Sequence, residues 1–144
     1  MPITISKTFE WDAAHRVLRH ESKCSTIHGH RYRAELSVTA AELDSVGRVI
    51  DFGVLKERVG AWIDKHLDHT AIVNSADQDL LDFCNADAGR GKRAPYVMIG
   101  EPTAENIASM LLAVARTLLV NTEIEVVSVK VWETPTCTAI ASAQ

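Results

Sequence analysis

The sequence lacks the features that mark exported, membrane-spanning and nucleic-acid-binding proteins. It has three cysteines, an odd number, and no apolar segment near its start, so we expect a cytoplasmic protein in a reducing compartment. Its longest apolar stretch, residues 107–120, is interrupted by polar side chains and is too short to cross a bilayer. A net charge of −4 argues against a general nucleic-acid binder. We therefore expect neither a membrane nor a nucleic acid as a partner.

The sequence also has no internal repeat and no low-complexity tract. With 144 residues, 47% of them hydrophobic and 24% charged, the chain is long enough to bury a core of its own. We expect a single domain over residues 1–144. Residues 74–96 are rich in Asp, Asn, Ala and Gly, and we interpret them as an excursion over the surface of that domain, with at most a short helix around residues 80–83.

Three histidines have the pattern of a metal site. His15 ends a strand-like run, and His28 and His30 flank Gly29. Residues two apart in a strand point to the same face, so His28 and His30 can direct both rings at one point, with Gly29 allowing close backbone approach. Three neutral imidazoles suit Zn²⁺, and three protein ligands leave a fourth position for water or substrate. We therefore interpret these histidines as a candidate zinc site.

Cys24 precedes His28 by four residues and allows three interpretations. As a fourth ligand, it would close the tetrahedron of a noncatalytic zinc module that braces the fold. Beside an open metal, it would be a reactive thiolate in a catalytic site. A zinc hydrolase that uses metal-bound water is the third possibility. The residues by themselves leave the choice open.

Positive charge is concentrated around the same histidines. The window from Arg16 to Arg33 contains five basic residues against the single acid Glu21, a net charge of +4. Such an excess beside a metal suggests an anionic ligand, for example a phosphate ester. For Arg31 or Arg33 taken singly, the solvated face of a strand explains the charge equally well.

Hydrophobic periodicity predicts four strands and two helices. The order is strand, strand, helix, excursion, helix, strand, strand, which predicts an α+β fold with an antiparallel four-stranded sheet and both helices on one face. Apolar residues on both faces of the last strands indicate a homo-oligomer. The predicted strands are residues 3–15, 28–38, 124–133 and 136–141, and the predicted helices begin at Asp51 and Thr103 and end near His66 and Leu119.

Two acidic positions add to the zinc hypothesis. Glu133 shares its parity with Val127, Val129 and Val131, so an apolar strand face ends in a carboxylate. A carboxylate can accept two parallel N–H bonds from a guanidine-like edge, which makes Glu133 a candidate anchor for an aminopyrimidinone ring, or else an exposed acid at a hairpin. In Asp68-His69, the aspartate can fix the histidine tautomer for acid–base chemistry, although adjacent pairs of this kind also occur by chance.

As a set, six elements resemble the family of 6-pyruvoyltetrahydropterin synthases and 6-carboxytetrahydropterin synthases. They extend from about Phe9 to Thr134, and the cysteine followed by His-Gly-His is the most specific of them. In order, they are Phe9-x-x-x-Ala13-Ala14-His15, Cys24-x-x-x-His28-Gly29-His30, Asp51-Phe52, Leu67-Asp68-His69, Pro102-Thr103-Ala104-Glu105-Asn106 and Val131-Trp132-Glu133-Thr134.

The resemblance implies a tunnelling fold, in which subunits form a trimeric barrel and two trimers stack into a homohexamer with active sites at subunit interfaces. It also implies a role for each matching residue. The implied roles are zinc ligation by His15, His28 and His30, general base catalysis by Cys24 with Asp68 and His69 as acid–base partners, pterin anchoring by Glu133, and lining of the ring pocket by Thr103 and Glu105 from a neighbouring subunit.

The substrate implied by the resemblance is 7,8-dihydroneopterin triphosphate, whose phosphates would suit the basic window. The short N-terminus and the spacing of Cys24 resemble the bacterial 6-carboxytetrahydropterin synthase, a zinc-dependent lyase that releases acetaldehyde and triphosphate and makes a queuosine precursor. The alternative product is that of a 6-pyruvoyltetrahydropterin synthase. The chain departs from the family pattern at Glu101, where many relatives have asparagine, and in the length of residues 74–96.

Overall fold

A six-stranded mixed sheet organises the chain, of which this computed structural model describes residues 2–144. The strands are β1 Thr4–His15, β2 His28–Ala40, β3 Thr70–Asn74, β4 Tyr96–Met98, β5 Ile124–Thr134 and β6 Cys137–Ser142. Strands β1 and β2 pair antiparallel, as do β5 and β6, and β2 joins the two pairs by pairing antiparallel with β5. The spatial order is β4-β3-β1-β2-β5-β6.

The α+β class is confirmed, but the predicted number of four strands is wrong. Strand β3 pairs parallel with β1, and β4 pairs parallel with β3, which makes the sheet mixed rather than antiparallel. Four of the five residues of β3 are buried. A strand that is covered on both faces has no polar alternation, so the period-two signal that revealed the other strands is missing here.

Three helices cover the sheet, where two were predicted. Helix α1 covers residues 52–66, with a π-helical turn at Lys56–Gly60, and Asp51 caps it by accepting a hydrogen bond from Gly53 N at 2.7 Å. Helix α3, Ala104–Leu118, is capped by Thr103. Both predicted helix starts are therefore confirmed. Helix α2, Gln78–Gly89, lies within the segment that was interpreted as an excursion.

The main hydrophobic core lies between the sheet and helices α1 and α3. Both of these helices therefore pack on one face of the sheet, as predicted. A β-bulge shifts the register between β2 and β5, so that Val38 pairs with Val126 while Ser37 pairs with Ser128. Val126 is consequently buried and Val127 is only half-buried. The predicted alignment of Val127 with the buried residues Val129 and Val131 is wrong for this reason.

Helix α2 is attached to the end of β1 by an ion pair. Arg16 donates from Nε and Nη2 to the two carboxylate oxygens of Asp77, both at 2.6 Å, and Asp77 also caps α2 by accepting from Leu80 N at 3.3 Å. Asp77 is only 2% exposed. Hydrogen bonding from Arg16 lowers the pKa of Asp77, and partial burial opposes that shift.

No helix within residues 2–144 combines the length and the apolar character that a membrane span requires.

Replacing Asp77 with alanine removes both the cap of α2 and the partner of Arg16. We expect Asp77→Ala to lower the free energy of unfolding by about 2 kcal/mol, since an N-cap contributes about 1 kcal/mol and a partly exposed ion pair up to about as much. Urea unfolding measures the change, and Asp79→Ala, at an exposed position in the first turn of the same helix, is the control with a smaller expected loss.

The contribution of Asp77 to the free energy of unfolding depends on pH. Because the pKa of Asp77 is lowered in the folded protein, its contribution is present above the ordinary carboxyl pKa and disappears as pH falls through the lowered value. The difference between wild type and Asp77→Ala should therefore shrink on acidification. An equal urea midpoint for both proteins at neutral pH would contradict the expectation.

Candidate metal centre

The register of β1 against β2 brings the three predicted zinc ligands together. His15 pairs directly with His28, and Ala13 pairs with His30, so all three side chains leave the sheet on the face covered by the helices. One ring nitrogen of each histidine lies within 4.8 Å of the others. His15 is 1% exposed, whereas His28 and His30 are half-buried. The cluster is thus closed on one side and open on the other.

Backbone carbonyls fix the tautomers of two of these rings. His15 Nδ1 donates to Pro102 O at 2.7 Å, and His28 Nδ1 donates to Thr26 O at 2.6 Å. A carbonyl can only accept, so the proton of each neutral ring is on Nδ1 and the lone pair is on Nε2. Histidines that bind a metal through one ring nitrogen usually donate from the other to a carbonyl or carboxylate in this way.

The remaining nitrogens fit a cation. The Nε2 atoms of His15 and His28 are 3.2 Å apart, so two lone pairs face each other unless a positive charge lies between them. His30 Nε2 is buried and has no hydrogen-bond partner among the described residues. With Zn–N bonds of about 2.0–2.1 Å, tetrahedral zinc separates two nitrogen ligands by roughly 3.3 Å, which agrees with the observed spacing.

Burial favours the neutral rings that a metal requires. Desolvation lowers the pKa of His15 and of His30, and for His15 the hydrogen bond to Pro102 and the charge of Glu133 partly oppose it. Neutral imidazole is the form that coordinates a metal. The donor set, its spacing and its protonation therefore all fit Zn²⁺.

Glu133 lies next to the histidines. Its Oε1 atom is 3.5 Å from His15 Nε2 and 4.0 Å from His30 Nε2, and its side chain is 28% exposed. The sequence predicts this carboxylate at the end of an apolar strand face, but its position beside the three histidines is visible only in the folded chain. The signal was the shared parity with Val129 and Val131, which directs Glu133 to the same side of the sheet as His15.

Cys24 lies in a short 3-10 turn, Lys23–Ser25, and is half-buried and free of any disulfide. Its Sγ atom does not belong to the group of ligand atoms that lie within 4.8 Å of one another. The cysteine loop is closed by Val17 N, which donates to Cys24 O at 2.9 Å. This arrangement favours three imidazole ligands over a closed four-ligand site.

Asp68 and His69 form a pair between α1 and β3. Asp68 Oδ2 lies 2.9 Å from His69 Nδ1, and Asp68 Oδ1 accepts from Asp12 N at 3.0 Å. Partial burial raises the pKa of Asp68, but the hydrogen bonds from Asp12 and His69 outweigh it and the net shift is downward. An ionised Asp68 holds the proton of His69 on Nδ1 and leaves Nε2 free for proton transfer.

His69 has the unusual backbone conformation of a constrained residue. Its φ is 57°, a left-handed value that non-glycine residues seldom adopt, and its N–H donates to Asp12 O at 2.7 Å. The ring is 69% exposed and borders an open cleft that Asp12, His30 and Arg31 also line. The ligand atoms of His69, Asp68 and Asp12 lie within 4.8 Å of one another, as a group separate from that of the three histidines. Asp12 is on the face of β1 opposite to His15, so the acid–base pair and the convergent ring nitrogens lie on different faces of the sheet within one chain.

Thr103 and Glu105 lie at the start of α3, directly after Pro102. The Thr103 hydroxyl accepts from Asn106 N at 3.2 Å, and Glu105 is exposed in the first helical turn.

The contacts of Pro102 O and Thr26 O with the histidines could not be predicted from the sequence, because every residue has a backbone carbonyl and its type does not indicate such a contact.

The basic window is largely occupied by contacts within the chain. Arg16 binds Asp77, Arg31 pairs with Asp12 at 3.1 Å, and Arg33 lies over the ring of Trp132. Among the residues that the structure describes, Arg19 and Lys23 form no ion pair, and both lie on the loop that carries Cys24. An anion that approaches this region therefore meets the free cations beside the cysteine.

Comparison with known proteins places the chain among pterin enzymes. The model of the 6-pyruvoyl tetrahydropterin synthase family matches residues 4–144. The 6-carboxy-5,6,7,8-tetrahydropterin synthase of Rickettsia conorii is 37% identical over 139 residues, which cover 94% of this chain and 96% of that protein. A probable 6-carboxy-5,6,7,8-tetrahydropterin synthase of Halobacterium salinarum is 36% identical, with 96% of this chain and 81% of that protein covered.

Solved structures agree with the fold. An uncharacterized protein from Wolinella succinogenes superposes with a TM-score of 0.85 at 26% identity, covering 100% of this chain and 99% of that chain. The 6-pyruvoyl tetrahydropterin synthase of Caenorhabditis elegans superposes with a TM-score of 0.73 at 21% identity, covering 100% and 97%. The subunit fold predicted from the resemblance is thereby confirmed.

Removing one ring of the cluster should release the metal. We expect His30→Ala to weaken zinc binding by roughly 100-fold or more, since loss of just the hydrogen-bond partner of a ligating histidine costs about 10- to 100-fold. Competition with a chromogenic chelator measures the affinity, and His66→Ala, far along the chain on α1, is the control that should leave it unchanged. Unchanged zinc affinity in His30→Ala would contradict the assignment of this ligand.

Proposed function

Because the chain belongs to the 6-pyruvoyl tetrahydropterin synthase family, we propose that it is a zinc-dependent 6-carboxytetrahydropterin synthase. The substrate is 7,8-dihydroneopterin triphosphate, and the products are 6-carboxytetrahydropterin, acetaldehyde and triphosphate. The observation that carries the proposal is the cluster of His15, His28 and His30, whose Nε2 lone pairs converge beside Glu133 and leave one side open. Curated relatives that span most of the chain share the name of this activity.

Lewis-acid polarisation of the substrate hydroxyls is the chemistry that Zn²⁺ supplies when the three histidines hold it. The remaining steps belong to side chains. Glu133 accepts two N–H bonds from the edge of the aminopyrimidinone ring, which places the reacting side chain of the substrate next to the histidines. Cys24 removes a proton from that side chain as general base. His69, held by Asp68, transfers a proton through its free Nε2 atom.

The active site of this proposal is built from more than one copy of the chain. His69 opens on the sheet face opposite to His15, so the acid–base pair of one subunit acts on the substrate held by the histidines of another. Free strand edges support this assembly, since β4 and β6 end the sheet and neither has a second partner strand within the described residues. We propose the homohexamer, a dimer of trimers, as the functional state, with Thr103 and Glu105 lining the ring pocket of a neighbouring subunit.

Arg19 and Lys23 are the cations that the proposal assigns to the triphosphate. They lie on the loop of Cys24 and have no acidic partner in the described chain, so they are available to an anionic substrate. We extend the proposal to the synthesis of queuosine and related 7-deazapurines, for which the carboxylated product is a precursor. The cytoplasm is the proposed compartment, because the three cysteines are free thiols.

The identity of the product distinguishes the two pterin synthases. Incubation of the zinc-loaded protein with dihydroneopterin triphosphate should yield acetaldehyde and a 6-carboxypterin, both detectable by mass spectrometry. A 6-pyruvoyl pterin without acetaldehyde would instead establish the pyruvoyl-forming activity. Heat-denatured protein is the control for spontaneous breakdown of the substrate.

Cys24→Ala separates the proposed enzyme from the other zinc proteins. For an open site we expect the variant to keep its zinc and to lose about 10²- to 10⁴-fold in kcat, the usual contribution of a general base. A closed structural site would lose zinc and stability, and a zinc hydrolase that uses metal-bound water would keep its turnover. Metal analysis and turnover of one preparation decide among them, with Cys137→Ala, an exposed thiol on β6, as the matched control.

A further inference from the structure

The loop that carries Cys24 is held by polar contacts and not by core packing. None of the residues 17–26 is buried. Within the loop, Val17 N donates to Cys24 O at 2.9 Å, and His20 N donates to Val17 O at 3.0 Å. A segment without buried side chains keeps its position only through its hydrogen bonds. The contacts between this loop and the rest of the molecule therefore determine where the Cys24 thiol lies.

Glu101 supplies those contacts. Its Oε2 atom accepts from Leu18 N at 2.8 Å, and its Oε1 atom accepts from Arg19 N at 3.2 Å. Among the described residues, these are the only hydrogen bonds that join residues 17–26 to any position beyond 16–28. A carboxylate has two acceptor oxygens and so binds two consecutive backbone amides at once, and the charge strengthens both bonds.

Glu101 is itself fixed at the start of α3. Its carbonyl oxygen accepts from Asn106 Nδ2 and from Thr103 N, both at 2.9 Å. The carbonyl of the next residue, Pro102, accepts from His15 Nδ1 at 2.7 Å. Two adjacent residues therefore hold the histidine cluster on one side and the cysteine loop on the other.

We propose that Glu101 is a positioning residue that sets the place of the Cys24 thiol relative to the histidine cluster. The inference rests on the proposed function, in which Cys24 is the general base. Because Glu101 and Pro102 are consecutive, the segment acts as a rigid link between the proposed base and a proposed zinc ligand. Loss of the carboxylate frees the loop without removing the thiol or any of the three imidazoles.

The experiment uses the zinc-loaded protein with Glu101→Ala, Glu101→Gln and Glu42→Ala, the last at an exposed glutamate that forms no hydrogen bond or ion pair among the described residues. Alkylation of Cys24 by iodoacetamide is followed by peptide mass spectrometry as a function of pH, with the exposed Cys137 in the same chain as the internal reference. At the high-pH plateau the thiol is fully ionised, so the plateau rate reports access of iodoacetamide to the thiolate.

We expect Glu101→Ala to raise the plateau rate for Cys24 by roughly three- to tenfold relative to Cys137, because a released loop opens more often. In the same variant kcat should fall by about ten- to a hundredfold with a smaller change in KM, as misplacement of a catalytic group predicts. Zinc content should stay at the wild-type level, since His15 keeps Pro102. Glu101→Gln, which retains one acceptor oxygen, should show a smaller rise in the alkylation rate and a smaller fall in kcat than Glu101→Ala. Glu42→Ala should match the wild type in both.

The proposal is overturned if Glu101→Ala alkylates at the wild-type plateau rate, or if the rate rises while kcat does not change. Should Glu101→Ala fail to fold, the same two criteria apply to Glu101→Gln. The alkylation arm needs no turnover, so it still tests the link between Glu101 and the loop if the wild type proves inactive on the pterin substrate. Inactivity of the wild type would count against the proposed function alone.

Discussion

The site depends on the register between β1 and β2. The pairing of His15 with His28 puts three rings on one face, and because side chains alternate along a strand, a slip of one residue would move them to the opposite faces. The alternation of buried and exposed residues along both strands prevents such a slip, since it would also expose the buried core residues Trp11 and Tyr32. The same hydrophobic pattern that determines the sheet thus determines the histidine cluster.

The strands and helices with one polar face could be predicted from the sequence, and so could the histidine cluster. Both rest on periodicity, which the covered strand β3 does not have. The length of helix α2 was underestimated because its apolar residues do not form one buried face: only Leu81 and Cys84 are buried, and Phe83 is exposed. The position of Val127 was missed because a bulge depends on how two strands are paired, and a single strand's pattern does not contain that information.

Different physical reasons limited the prediction of the site itself. Some side chains indicate their chemistry by residue type alone. Imidazole groups can bind a metal and a thiol can act as a base, as proposed for His15, His28, His30 and Cys24. The carbonyls of Thr26 and Pro102, which orient two rings, are common to every residue and become visible only when the chain is folded. The acidic type of Glu101 is visible in the sequence, but its contacts to a loop more than eighty residues away could not be inferred from that.

Charge and geometry meet in the loop of Cys24. The sequence shows five basic residues near the histidines, yet Arg16 and Arg31 are neutralised by acidic partners and Arg33 lies over Trp132. Arg19 and Lys23 have no acidic partner among the described residues. Both lie on the loop whose backbone amides donate hydrogen bonds to Glu101. The carboxylate of Glu101 uses its charge on two backbone amides and forms no ion pair with either cation within the described residues. It can therefore hold the loop in place and leave the positive charges beside Cys24 free to attract an anion.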